Sequence, residues 1–221
     1  MRPSGMGIQD RFRSGLAGQL GRPEGVRGRL IGRGLNRSNR SAIAAAVRAT
    51  SLRHGQAAAD IGFGGGVGLQ LLLEQVGADG SVDGVELSAT MLMASERRHR
   101  AACADGRLAL HSGSLAALPL DDRSLDGLIT VNTAYFVEDL LGAFREIARV
   151  LRPSGRAVVG VGDPEAMASM PVTAHGFRIR PVDQLTELLR RAELHDVRHE
   201  RVGDGDRAFH LLIAAQVPST G

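Results

Sequence analysis

Lysine is missing from this chain altogether: all 27 basic residues are arginine. Beside many alanines and 29 glycines, that bias reflects the coding of a GC-rich genome rather than a functional device. Cysteine is nearly absent too. Cys103 stands alone, which excludes an internal disulfide and a cysteine-built zinc site. Only seven residues are aromatic, few for a protein that stacks exposed bases. No run of roughly 18 apolar residues occurs, which argues against a membrane span. The first residues lack the apolar core of a secretory signal, so the expected compartment is the cytoplasm.

Acid is scarce at one end. Residues 1–56 carry 11 arginines against Asp10 and Glu24, a balance of +9, while the remainder carries −6, for +3 overall. A basic arm can meet nucleic acid or an anionic surface. Its scattered Leu16, Leu20, Leu30, Ile31 and Leu35 favour instead a segment packed over the rest as a cap. With 221 residues, 43% apolar and 23% charged, the chain suits one globular domain with a sizeable core. The expected organisation is an arginine-rich arm and helical cap over 1–56, and one ligand-binding domain over 57–217.

The periodicity then alternates. Ser38 or Asn39 can cap a helix over 41–51. AAADI (57–61) reads as a strand, VGLQLLLEQVG (67–77) as a helix and SVDGVEL (81–87) as a second strand. SATMLMASERRHRAACADG (88–106) reads as one helix capped by Ser88, RLALHSG (107–113) as the third strand and SLDGLITVN (124–132) as the fourth. Leu140, Phe144, Ile147 and Leu151 mark a helix that Pro153 and Gly155 should end. GRAVVGVG, a helix over 182–194 and two last strands follow. Such alternation specifies an α/β fold: a Rossmann-like, doubly wound, mostly parallel sheet of seven strands with an N-terminal helical cap. Ligands in such sheets bind beyond the carboxyl ends of the strands, where strand order reverses.

The first of those ends carries DIGFGGGVG (60–68), in which five of nine residues are glycine. Bare backbone admits positive φ and lets a ligand approach closely. A dinucleotide fingerprint, G-x-G-x-x-G, would need glycine at 67, where Val67 stands. Glu86 ends the second strand 20 residues after Gly66 and can accept hydrogen bonds from both hydroxyls of a ribose. That suits a nicotinamide cofactor or S-adenosylmethionine. Asp60 separates the two. It would repel a pyrophosphate, whereas the ammonium and sulfonium of S-adenosylmethionine gain from a nearby carboxylate.

Four stretches in order resemble the small class I S-adenosylmethionine-dependent methyltransferases that act on small molecules. Asp60 to Gly66 is similar to the family's first motif, and VDGVELSATML to its second, with Ser88 and Met91 at the helix start. LHSGSLAALPLDDRSLDGLITVN resembles the third and fourth, and FREIARVLRPSGRAVV the helix and strand beyond. The likeness covers roughly residues 57–160. It implies S-adenosylmethionine as cofactor and a cofactor set drawn from four places. These are Asp60, Gly62, Phe63, Gly64 and Gly66 in the loop, then Glu86, Leu87 and Met91 at the second strand and its helix. Gly113, Ser114 and Leu115 follow the third strand, and Asn132 the fourth. Ser114 departs from the acidic residue the family commonly places there for the adenine amine; a hydroxyl or backbone group can bond in its stead. Phe63 replaces a smaller residue inside the loop.

The acceptor side is less defined. Asn132 and Tyr135 keep the spacing of an N-P-P-Y segment, but Thr133 and Ala134 replace both prolines. Tyr135 and Phe136 either wall the substrate or pack in the core. His175, in the insert DPEAMASMPVTAHGF, either acts as a general base or satisfies its loop. Tyr135 and His175 are therefore the candidate catalytic pair. The other histidines show no metal-ligand spacing, so no metal is expected. The expected partner is a small-molecule methyl acceptor, not nucleic acid or membrane. Two other readings remain: an NAD-dependent oxidoreductase, disfavoured by Val67 and Asp60, and a non-catalytic binder of S-adenosylmethionine or nucleic acid.

Overall fold

The computed structural model describes residues 39–170, 173 and 176–217. The apolar arm positions up to Leu35, the alternative cap Ser38 and His175 lie outside them. Seven strands form one sheet in the order β3-β2-β1-β4-β5-β7-β6. They are β1 (Ala57–Ile61), β2 (Ser81–Glu86), β3 (Leu108–Ser112), β4 (Leu125–Val131), β5 (Leu151–Gly162), β6 (His195–Val202) and β7 (Phe209–Ala215). β1 to β5 pair in parallel, while β7 runs antiparallel to both β5 and β6. The short link between β6 and β7 explains the reversal, because a hairpin connection can join only antiparallel neighbours.

Period-two alternation divides the core between the two faces. Ala58, Ile129, Val158 and Leu211 pack beneath α1 (residues 39–49) and α2 (Val67–Val76). Ala59, Leu128, Val159 and Leu212 pack beneath α5 (Leu140–Val150) and α7 (Val182–Arg191). Successive strand side chains point to opposite faces, so each strand feeds both layers. In α5, Leu140, Phe144 and Ile147 recur at helical spacing and are buried; full burial of such side chains is worth roughly 1.5–3 kcal/mol each. Asp139 starts α5 by accepting the Gly142 N–H at 2.9 Å. The edge strand β6 is mostly exposed and carries Asp196, Arg198, Glu200 and Arg201, charges that oppose pairing with another sheet edge.

Two expectations changed. The helix over 88–106 is divided into α3 (Ala89–Arg98) and α4 (Arg100–Ala104), because His99 leaves helical geometry at φ −107° and ψ 26°. Pro153 and Gly155 do not end α5. The Arg123 and Ser124 N–H groups take the carbonyls of Arg149 and Val150, and Leu151 already pairs with Leu125, so the helix stops before the proline. Pro153 and Gly155 lie within β5. One further short helix, α6 (Pro164–Ser169), forms in the insert after β5 and is capped by Asp163. No described helix is long and apolar enough to cross a membrane.

Candidate active site

Strand order reverses between β1 and β4, since the chain winds outward from β1 to β3 and then returns to β4 on the other side. A crevice at that switch point is the expected ligand site. A cleft of about 1160 Å³ opens there, lined by the turns after β1, β2, β3, β4 and β5 and by Asn39, Ser41 and Ile43 of α1.

The glycine loop forms its floor. Gly62, Gly64 and Gly66 all have positive φ, at 72°, 50° and 78°. A Cβ on Gly62 would overlap the Thr133 hydroxyl, so no larger residue fits between the β1 and β4 turns. Gly68 plays a second part: a Cβ there would run into the Asp60 carboxylate, which lies against the first turn of α2.

Asp60 is 5% exposed and has no hydrogen-bond partner among the described residues. Burial, and then the neighbouring Glu86 carboxylate, push its pKa up to about 8. Glu86, 6% exposed, is held differently. One of its oxygens accepts the Gly64 N–H and the other the Ser88 N–H, both at 2.9 Å. Each oxygen keeps a lone pair for a further donor. The floor thus holds one carboxylate that lacks a cation and another aimed by two backbone groups.

Of the expected cofactor set, Asp60, Gly62, Phe63, Gly64, Glu86 and Leu87 line the cleft. So do Gly113, Ser114, Leu115 and Asn132. Two residues are not on its wall. Gly66 provides the left-handed turn into α2, and its N–H is spent on the Phe63 carbonyl at 2.9 Å. Met91 is buried in the core beneath α3, where its N–H is capped by Ser88. Asn132 occupies the left-handed region at φ 61°, turning the chain from β4 into a short 3₁₀ helix over Ala134–Phe136.

Tyr135 is at once core and wall. It is 4% exposed and packs on the α5 side of the sheet, yet it borders the cleft. Its hydroxyl accepts the Gly162 N–H at 2.6 Å, and burial raises its pKa well above that of a free phenol. Tyr135 is therefore a neutral hydroxyl whose oxygen is fixed by β5. Phe177 lies tilted against it at 5.6 Å between ring centres, and Phe136 meets Phe177 edge-on at 4.7 Å.

Sequence patterns left several wall residues unnamed. Asp163 follows β5 at the same carboxyl edge; it accepts the Glu165 and Ala166 N–H groups and the His210 Nε2 proton, the last at 3.1 Å. Those bonds, the Ala166 N–H first, hold its carboxyl below the usual range. His210 in turn meets His199 at 2.8 Å. Phe209, Asp204 and Asp206 also line the cleft. They reach it because β7 is antiparallel, so its first residue, paired with Gly162, starts at the carboxyl edge of the parallel strands. The Asp-Pro pair at 163–164 is a helix-start signal that could have flagged Asp163, but nothing local announces the β7 contribution. No group of three or more metal-ligating side chains occurs among the described residues.

These residues suit a ligand with a cationic end, a ribose and an adenine. Asp60 has no charged partner among the described residues and would ionise beside a cation, Glu86 offers acceptors for vicinal hydroxyls, and the loop admits a close approach.

Residues 59–159 match the family described as Methyltransferase domain. Demethylmenaquinone methyltransferase of Roseiflexus castenholzii is 31% identical over 209 residues, covering 81% of this chain and 84% of that protein. Demethylmenaquinone methyltransferase of a Roseiflexus strain, RS-1, is 30% identical over 186 residues, with 71% and 75% covered. Among solved structures, geranyl diphosphate methyltransferase in complex with GPP and sinefungin superposes with a TM-score of 0.70 at 19% identity, over 83% of this chain and 81% of that one. A SAM-dependent methyltransferase from Aquifex aeolicus gives 0.67 at 17% identity, over 92% and 98%. The structural likenesses bear on the fold alone. Sequence identity extending over most of both chains is a family relation, and the chain belongs to the class I S-adenosylmethionine-dependent methyltransferases.

Proposed function

We propose that this methyltransferase holds the amino-acid end of S-adenosylmethionine against Asp60, its ribose on Glu86 and its adenine along Gly113, Ser114 and Leu115. The observation that carries this reading is Asp60, a buried carboxylate with no partner among the described residues, raised to a pKa of about 8. A cation entering the cleft restores its charged form. When bound, the cofactor supplies an electrophilic methyl: the acceptor's lone pair forms the new bond to carbon, and the C–S electrons stay on sulfur.

The protein's own contribution is positional. Glu86 is oriented by the Gly64 and Ser88 N–H groups, so its free lone pairs face one ligand pose. Tyr135, Phe136, Met167 and Phe177 border the remaining volume and exclude water from the acceptor. The raised pKa of Tyr135 keeps its phenol protonated, so it can orient an acceptor but not deprotonate one. Prepaid orientation of this kind can supply roughly 7–11 kcal/mol in favourable systems. A dedicated base is not required, and His175 stays a candidate outside the described residues. In this reading residues 1–56 form the arm and cap, 57–217 form the catalytic domain, and the acceptor is a small molecule.

Calorimetry with S-adenosylhomocysteine, S-adenosylmethionine and NAD tests the assignment. Micromolar binding of the two adenosyl ligands, about −8 kcal/mol, is expected, with none of NAD. Unaltered S-adenosylhomocysteine affinity in both Asp60→Asn and Glu86→Ala would move the cofactor elsewhere.

A further inference from the structure

The insert after β5 ends with Phe177 to Pro181, just before α7, and there it is fastened to the turn that follows β4. One guanidinium makes most of the attachment. Arg180 Nη2 donates to the Val137 carbonyl at 2.8 Å and to the Glu138 carbonyl at 3.3 Å. Its Nη1 donates to the Ala134 carbonyl at 3.1 Å and to the Arg178 carbonyl at 3.3 Å. Beside it, the Arg178 N–H donates to the Tyr135 carbonyl at 2.9 Å, and Phe177 packs against both Tyr135 and Phe136. Burial, and then the neighbouring Arg178, hold the pKa of Arg180 below the ordinary arginine range.

The carbonyls of Ala134, Val137 and Glu138 lie in the 3₁₀ turn and its exit, outside the strand ladder. A guanidinium can serve several of them at once, because its five donors sit in one rigid fork; the three donors of an ammonium on a flexible stem cannot reproduce that. The root of the fork is fixed. Pro181 opens α7, whose Leu185 and Leu189 are buried in the core. The turn is thereby gripped at two places, its Tyr135 hydroxyl by the Gly162 N–H of β5 and its carbonyls by Arg180. Arg180 does not line the cleft, whereas Tyr135, Phe136 and Phe177 do. It also lies beyond residues 59–159, the stretch matched to the family, so the family relation does not by itself imply this clamp.

We propose that Arg180 is a positioning residue for the acceptor half of the cleft. It ties the insert to the turn after β4, so that Tyr135, Phe136 and Phe177 stand as one aromatic wall against the acceptor. This rests on the acceptor placement given above. Loss of the clamp lets the turn and the insert part, and an apolar acceptor then loses contact with the wall. Asp60 and Glu86 are held by β1, β2 and the glycine loop, so cofactor binding does not depend on Arg180.

The test uses the full-length protein, with S-adenosylhomocysteine binding measured first by calorimetry. Tyr135 is the chain's only tyrosine and tryptophan is absent, so tyrosine emission reports on the wall alone. Acrylamide should quench the parent weakly, since Tyr135 is buried. Arg180→Ala should raise the quenching constant about threefold or more, as the turn opens locally. Binding of 2-naphthol, an uncharged aromatic probe, to the S-adenosylhomocysteine complex should weaken about fivefold in that variant. Its S-adenosylhomocysteine affinity should stay within about twofold of the parent. Arg180→Lys keeps the charge with three donors in place of five; it should fall between the two, and it carries the comparison if Arg180→Ala does not fold. Arg178→Ala removes only the exposed pair with Glu138, leaves its own N–H in place, and should match the parent within about twofold in both readouts. Unchanged quenching and probe affinity without Arg180 overturn the positioning role and leave the cofactor placement intact. So does an S-adenosylhomocysteine affinity that falls as far as that of 2-naphthol. A parent that binds S-adenosylhomocysteine but not 2-naphthol overturns the acceptor wall itself, and failure to bind S-adenosylhomocysteine in the first step overturns the cofactor placement.

Discussion

Asp60 links cofactor affinity to pH, and the size of the effect can be worked out. In the empty cleft its pKa is about 8, raised by burial and by Glu86. If the ammonium of S-adenosylhomocysteine binds only the ionised carboxylate, apparent affinity scales with the ionised fraction. That fraction is about 0.3% at pH 5.5 and about 9% at pH 7, so affinity should rise about 30-fold, or ~2 kcal/mol, across the window. Staying at or below pH 7 keeps the ligand's amine largely protonated, since an ordinary α-amino group titrates at about 7.7–8.0. Calorimetry in two buffers of different ionisation enthalpy counts the protons released. Net of the small uptake by the ligand's amine, roughly 0.8 proton per ligand should leave at pH 7. Asp60→Asn should release none, show an affinity flat over the same range, and bind more weakly than the parent at pH 7. A parent protein with flat affinity and no proton release would refute the reasoning, as would a variant that keeps the slope.

Three other perturbations follow from the same geometry, together with one consequence for the empty protein. Because the folded pKa of Asp60 lies above its ordinary value of 3.8, the empty protein should lose stability as pH rises from about 4 through about 8 relative to Asp60→Asn, read from urea midpoints. Glu86→Ala removes charged acceptors from the Gly64 and Ser88 N–H groups as well as from the ligand, so S-adenosylhomocysteine affinity should fall by roughly 1.5–3 kcal/mol, measured by calorimetry. Gly62→Ala places a methyl group into the Thr133 hydroxyl at a φ of 72°, and should lower stability by about 1–3 kcal/mol in urea unfolding and abolish cofactor binding. Tyr135→Phe strands the buried Gly162 N–H, costing about 1–3 kcal/mol in thermal or urea unfolding. Turnover should drop while S-adenosylhomocysteine affinity stays within about twofold of the parent.

What the sequence determined by itself was everything set by short-range sterics and by one-dimensional period. Alternating apolar residues such as Ala58 and Ala59 must feed opposite faces of a sheet. Ser88 and Asp139 announce the helices they cap, and the cluster Gly62 to Gly66 announces a turn that only bare backbone can make. The order of these features was sufficient for the fold and the cofactor. Tertiary structure decided what depends on partners distant in the chain. Pro153 looked like a helix stop, but the carbonyls of Arg149 and Val150 that end α5 are taken by the N–H groups of Arg123 and Ser124, which lie far earlier in the chain. Met91, expected in the cofactor set, lies in the core beneath α3 rather than on the cleft wall, a placement set by packing. Tyr135 left core and wall undecided until Gly162 of β5 gripped its hydroxyl. The insertion of β7 between β5 and β6, a pairing no local pattern encodes, brings Phe209, Asp204 and Asp206 to the cleft mouth. The charge preference of Asp60 is likewise a property of burial, which exists only once α2 and β1 close around it.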